Sequence, residues 1–183
     1  RAFAAAEGMR LPSAREWVRV AVGTRAQEWP WGPFPARSVT NTLELRLRRL
    51  APVGTFEAGR TSLGVYDLLG NAAEWVEGVI PEREPGDEDG RVWALGGSYL
   101  SHKRPTYYID RGATPRLAFN AELLDPRTRA SDVGFRLVSA AEEYLRSGVS
   151  FGDGVKDRAR LREIGRRWGR SAAPLLRRLA EER

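Results

Sequence analysis

The sequence contains no cysteine, one methionine, one histidine and only two lysines. Without cysteine there is no disulfide framework, no thiolate metal site and no thiol nucleophile. That absence suits a reducing, cytoplasmic setting, the compartment the sequence favours. One histidine excludes any imidazole pair or triad. No apolar run approaches the ~18–20 residues a membrane span needs, and Arg1-Ala2-Phe3-Ala4-Ala5-Ala6 has no long apolar core of the signal-peptide kind. There is no repeat, no low-complexity tract, no phosphate-cradling Gly-Lys-Ser/Thr loop and no Gly-x-Gly-x-x-Gly after a strand. Ser98 and Ser101 have only His102 as a base, so the sequence shows no nucleophile relay.

What is present is an ordinary globular composition: 183 residues, 42% hydrophobic, 30% charged, enough for one domain with a proper core. The net charge of +6 is uneven. From Ala140 to Arg183 there are 11 basic and 7 acidic residues, a net +4, so the basicity sits mainly in the tail. Lys156 to Arg170 holds seven basic residues, with Leu161, Ile164 and Trp168 at helical spacing. Such a helix reads as a solvated basic face with its apolar residues docked on the domain or on a partner or, as the other reading, as a contact to phosphates of a nucleic acid with steep salt dependence. Pro174 opens a final helix carrying Leu175, Leu176 and Leu179.

Ser13 with Glu16 three residues on predicts a capping box and a helix from Ala14 to about Val22, ended by Gly23. Trp29 to Pro35 alternates aromatics with proline and reads as a packed loop. Leu43, Leu45, Leu47 and Leu50 fit either a strand or a loop. Short buried strands are predicted over Arg91 to Leu100, broken at Gly96-Gly97, and over Val133 to Val138. Ser101 to Asp132 shows little periodicity.

Several strings stand in order: Arg10-Leu11-Pro12-Ser13-Ala14-Arg15-Glu16-Trp17, Trp29-Pro30-Trp31-Gly32, Pro52-Val53-Gly54, Gly64 to Trp75, Gly96-Gly97-Ser98-Tyr99 and Gly134-Phe135-Arg136. Together they resemble the formylglycine-generating enzyme (sulfatase-modifying factor) family. The resemblance implies an α+β variant of the C-type lectin fold, rich in irregular loops, over residues 1–139. Its N-terminal part would be missing, and 140–183 would form a basic amphipathic helical tail.

The family's catalysts oxidise a substrate cysteine with copper held by two cysteines. The positions implied here are Ser101 and Thr106, whose hydroxyls do not suit soft Cu(I). The expectation is therefore a member that binds no copper and works as a binding or interaction module for a protein or small molecule. Its recognition surface would lie after Gly97, with Ser98, Tyr99, His102, Tyr107, Tyr108 and Asp110. Two alternatives stay open: a cysteine-independent oxidoreductase resembling the pyoverdine-maturation enzymes, and a retroelement-diversified ligand-binding protein. The resemblance also implies a structural calcium site at Asp67, Gly70, Ala72 and Glu74. Asn41 matches the first ligand of a second calcium site, expected to be lost because its Asp position falls near Leu45, with Glu44 the nearby carboxylate.

Overall fold

The structure is a computed structural model that describes residues 1–23, 27–78, 90–103, 120–143, 162–163, 165–166 and 173–181. Contacts divide the chain into two compact units, Arg1–Val138 and Ser139–Arg183.

The first unit opens with a short helix, α1 (Ala2–Ala6), which buries Ala4. The next helix, α2 (Ala14–Val22), begins at the expected capping box. Ser13 Oγ accepts from the Glu16 N–H at 3.2 Å, and Glu16 Oε2 accepts from the Ser13 N–H at 2.9 Å. Arg10 donates to both Glu16 oxygens at 2.7 and 2.6 Å, which pulls the Glu16 carboxyl down to about 2. Gly23 closes the helix as expected, its N–H returning to the Arg19 carbonyl. One face of α2, with Ala14, Trp17, Val18, Ala21 and Val22, is buried against Leu68, Val76, Trp93 and Leu95, and that cluster is the core. An apolar stripe at i, i+3, i+4 can do this because those positions share one side of a helix.

The sheet has four short strands, β1 (Ala73–Trp75), β2 (Val92–Leu95), β3 (Ala121–Leu124) and β4 (Val133–Gly134), in the order β3-β2-β1-β4. β2 runs antiparallel to both neighbours, and β4 runs parallel to β1 with Glu74 opposite Gly134. Trp93, Ala94 and Leu95 of the central strand are all buried, as an apolar run rather than an alternation requires.

Two expectations change, and one left open is decided. β3 arises inside the stretch that shows no period in sequence; it forms because β2 offers a complete register from Val92–Leu124 to Leu95–Ala121. The strand expected over Val133 to Val138 stops at Gly134: Phe135 is exposed, Arg136 turns inward, and Val138 makes only an isolated bridge to Arg10. The leucine alternation from Leu43 does not pair. Leu43–Leu45 is a single 3-10 turn, and Arg46 and Arg48 sit at φ of 60° and 53°, where an extended strand cannot continue. The aromatic loop is packed as expected, with Trp29 stacked on Trp31 at 5.3 Å between ring centroids.

In the second unit α3 (Ala173–Glu181) carries Pro174 in its first turn, where no N–H is needed, and Arg178 pairs with Glu142. Of the expected basic helix, residues 156–161, 164 and 167–170 lie outside the described residues.

Candidate functional site

β2 ends at Leu95, and Gly96-Gly97 turns the chain into the loop that carries the sequence-derived site. A Cβ at Gly97 would stand 2.5 Å from Asn120 Nδ2, so the turn depends on the bare backbone there. Ser98 follows, 2% exposed, and donates from Oγ to Asp132 Oδ2 at 2.7 Å while accepting from the Leu100 N–H at 3.1 Å. Tyr99, 8% exposed, is joined through its hydroxyl to Ser131 Oγ at 3.0 Å. Both side chains therefore anchor the loop to the segment ahead of β4. Both are buried, and their polar atoms are used inside the fold.

Ser101, at a position implied for copper, has its Oγ accepting from the Ser98 N–H at 3.0 Å, and its carbonyl accepts from the Leu43 N–H at 3.0 Å. A neutral hydroxyl in that role is a loop staple; it does not fit a Cu(I) ligand. Thr106, Tyr107, Tyr108 and Asp110 lie outside the described residues. His102 is exposed and directs Nδ1 to Glu44 Oε1 at 3.2 Å, while Ser98 faces Asp132. The serines and the histidine thus do not form a relay.

Glu44 gathers the chain at His102 and Lys103. Burial pushes its carboxyl up, but hydrogen bonds from Thr42, its own N–H, the Lys103 N–H and His102 together bring it down to about 2. Lys103 donates its N–H to both Glu44 oxygens at 3.0 and 3.1 Å, and its ammonium to the Ala36 carbonyl at 2.5 Å, 5.7 Å from the Trp29 ring centroid. A carboxylate held below its unfolded value stabilises the fold above about pH 4.5 and loses that contribution as pH falls towards 2. Glu44→Gln is therefore expected to flatten the decline of the melting midpoint between pH 4.5 and 2. An unchanged pH profile in that variant would refute the assignment.

Of the residues implied for calcium, Asp67, Ala72 and Glu74 line a cavity of about 470 Å³ together with Tyr66, Asn71, Phe135 and Arg136, whereas Gly70 is not among the lining residues. Glu74 points from β1 and is 8% exposed. Its Oε1 accepts from Arg136 at 2.5 Å, and its Oε2 accepts from Arg136 Nε at 2.5 Å and from Trp17 Nε1 at 2.7 Å. Asp67 Oδ2 accepts from the Gly54 N–H at 2.9 Å. Among the described residues no group of three or more His, Cys, Asp or Glu is placed to hold a metal ion. Calcium needs six to eight oxygens, and here the one buried carboxylate already faces a guanidinium. Glu74 in this arrangement does not fit a calcium ligand.

Asn41, fully buried, donates from Nδ2 to the Arg49 carbonyl at 2.9 Å and to Asn71 Oδ1 at 3.0 Å. Its Oδ1 finds no donor, and Glu44 is turned to His102 and Lys103. One amide oxygen is far short of a calcium shell, so Asn41 serves as a clamp between loops.

Sequence reading does not reach Asp132, Ser131 or Arg136, the partners that decide what Ser98, Tyr99 and Glu74 do. The signal available was the Gly134-Phe135-Arg136 string, an arginine two residues beyond a half-buried strand.

The comparisons bear on the family and the fold. The family model described as "Sulfatase-modifying factor enzyme 1-like domain" matches residues 1–141. The inactive C-alpha-formylglycine-generating enzyme 2 of Mus musculus is 30% identical over 152 residues, covering 76% of this chain and 46% of that protein. The hercynine oxygenase of Mycolicibacterium smegmatis is 35% identical over 83 residues, 43% of this chain and 19% of the enzyme. Among solved structures, Treponema denticola variable protein 1 superposes with a TM-score of 0.51 at 23% identity, over 70% of this chain and 46% of its own, a likeness of fold alone. The chain thus spans about half the length of the inactive relative. Among the described residues no helix is long and apolar enough to cross a membrane.

Proposed function

The chain belongs to the sulfatase-modifying factor enzyme 1-like family, and on that premise we propose that it is a non-catalytic member, a binding module in which the loops after Gly97 make the recognition surface. The fold is the α+β formylglycine-generating-enzyme variant of the C-type lectin fold. The observation that carries the proposal is Ser101. At a position where the family's oxidases hold copper with a thiolate, it supplies a hydroxyl whose oxygen is used to accept the Ser98 N–H. The second position, Thr106, also lacks a thiol. The likeness to an inactive enzyme of mouse supports the same reading.

A rigid scaffold presenting long irregular loops is suited to recognition. Ser98 and Tyr99 fix the base of the loop, and Glu44 holds Lys103 and His102. His102 is the exposed member of the sequence-derived surface among the described residues. The hercynine oxygenase likeness does not favour an enzyme reading with equal force, because it covers less than half of this chain.

Incubation of the chain with a cysteine-bearing sulfatase peptide, copper(I) and dioxygen is expected to leave the peptide unchanged by mass spectrometry. Conversion of the cysteine to formylglycine above the peptide-alone control overturns the proposal.

A further inference from the structure

The geometry points to Arg136 as a built-in cation that closes the Asp67–Glu74 turn in place of a metal ion, so that this scaffold folds independently of calcium. The register explains how it gets there. Glu74 of β1 stands opposite Gly134 of β4, and alternation along an extended chain puts Arg136, two residues on, on the same side as Gly134. Gly134 has no side chain to stand between them. Arg136 leaves the strand and folds back, and its guanidinium meets Glu74 side-on with Nε and NH2 on separate oxygens, both at 2.5 Å. This is the two-pronged geometry that only arginine among the cations supplies.

The same NH2 also donates to the Tyr66 carbonyl at 3.0 Å. One guanidinium thus gathers a carboxylate from the strand and a main-chain carbonyl from just ahead of the turn, the two kinds of oxygen that a loop-fastening calcium would gather. Trp17 Nε1 takes the remaining direction at Oε2, and Asp67 is occupied on one oxygen by Gly54. A calcium ion entering here would have to expel the guanidinium from Glu74 and leave a half-buried positive charge beside a divalent one, an arrangement that like-charge repulsion opposes.

The test is the melting midpoint of the full chain, stripped with chelator and then titrated with millimolar calcium, alongside terbium luminescence excited through tryptophan. Wild type is expected to shift by less than about 1 °C and to show no sensitised terbium emission. A rise above about 5 °C that chelator reverses, the size expected when a site is saturated at a hundredfold over its Kd, overturns the proposal. Arg136→Gln is expected to lower the midpoint by about 5–10 °C, because it leaves the Glu74 carboxylate buried without its cation. A Gln variant as stable as wild type also overturns it. If Arg136→Gln does not fold, Arg136→Lys, which keeps the charge and loses the fork, replaces it: a loss of midpoint supports the proposal and no loss overturns it.

Discussion

Trp17→Ala is expected to cost the Arg1–Val138 unit about 5–7 kcal/mol, a large share of the stability of a domain this size. Trp17 is 2% exposed at the centre of the cluster formed by α2, Leu68, Val76, Trp93 and Leu95. Truncating a buried tryptophan to alanine removes about 3–5 kcal/mol through lost burial and the cavity left behind. The indole also donates to Glu74 Oε2 at 2.7 Å, and a hydrogen bond to a charged group is worth about 1.5–3 kcal/mol more. Small domains are stable by only about 5–15 kcal/mol in total. The measurement is a urea titration followed by circular dichroism, with Trp17→Phe beside it. Phenylalanine keeps most of the bulk and loses the donor, so it should show mainly the hydrogen-bond part. A Trp17→Ala protein within about 1 kcal/mol of wild type would mean that the core is centred elsewhere.

The helix that carries Trp17 was legible because every determinant is local. Ser13 and Glu16 cap each other within one turn, Gly23 terminates, and the apolar stripe recurs at helical spacing. The buried run of β2 was legible for the same reason, being short, apolar and closed by two glycines. β3 was not. Ala121-Glu122-Leu123-Leu124 has no period of its own, and it becomes a strand only because the edge of β2 supplies partners. The leucines after Thr42 could not be decided from sequence: their alternation fits a strand as well as a loop, and two arginines in left-handed conformation bend the chain away.

The candidate site divides along the same line. The strings that resemble the family locate the loop after Gly97 and the Asp67–Glu74 turn from sequence alone. What each side chain does there depends on partners 34 and 62 positions away, Asp132 for Ser98 and Arg136 for Glu74. No spacing rule reaches that far. The resemblance put Ser98 and Tyr99 on a recognition surface and made Glu74 a metal ligand; in the structure the first two are paired as anchors and the third faces a guanidinium.

The turn itself sets the second large expectation: Gly70→Ala should destabilise the unit by about 4 kcal/mol. Gly70 has φ of +76°, and a Cβ there would lie 2.4 Å from the Asn41 carbonyl oxygen, 2.8 Å from Thr40 Oγ1 and 2.8 Å from Thr42 Cγ2. The left-handed backbone alone costs a side chain about 1–2 kcal/mol. Crowding in a packed interior adds about 1–3 kcal/mol, and the groups crowded cannot withdraw freely. The Asn41 oxygen accepts from the Asn71 N–H at 2.7 Å, Thr40 Oγ1 donates to the Leu69 carbonyl, and the Gly70 N–H is tied to Gly96 at 3.0 Å. Gly78 is the control, because it has nearly the same φ, +75°, with nothing within 4 Å of the added atom. Gly78→Ala should lose only the conformational part, about 1 kcal/mol. If the two alanine variants melt together, backbone conformation alone accounts for Gly70. If Gly70→Ala melts well below Gly78→Ala, the close approach of the Thr40–Thr42 segment is what requires glycine, and that contact holds the turn bearing Glu74 in place for Arg136.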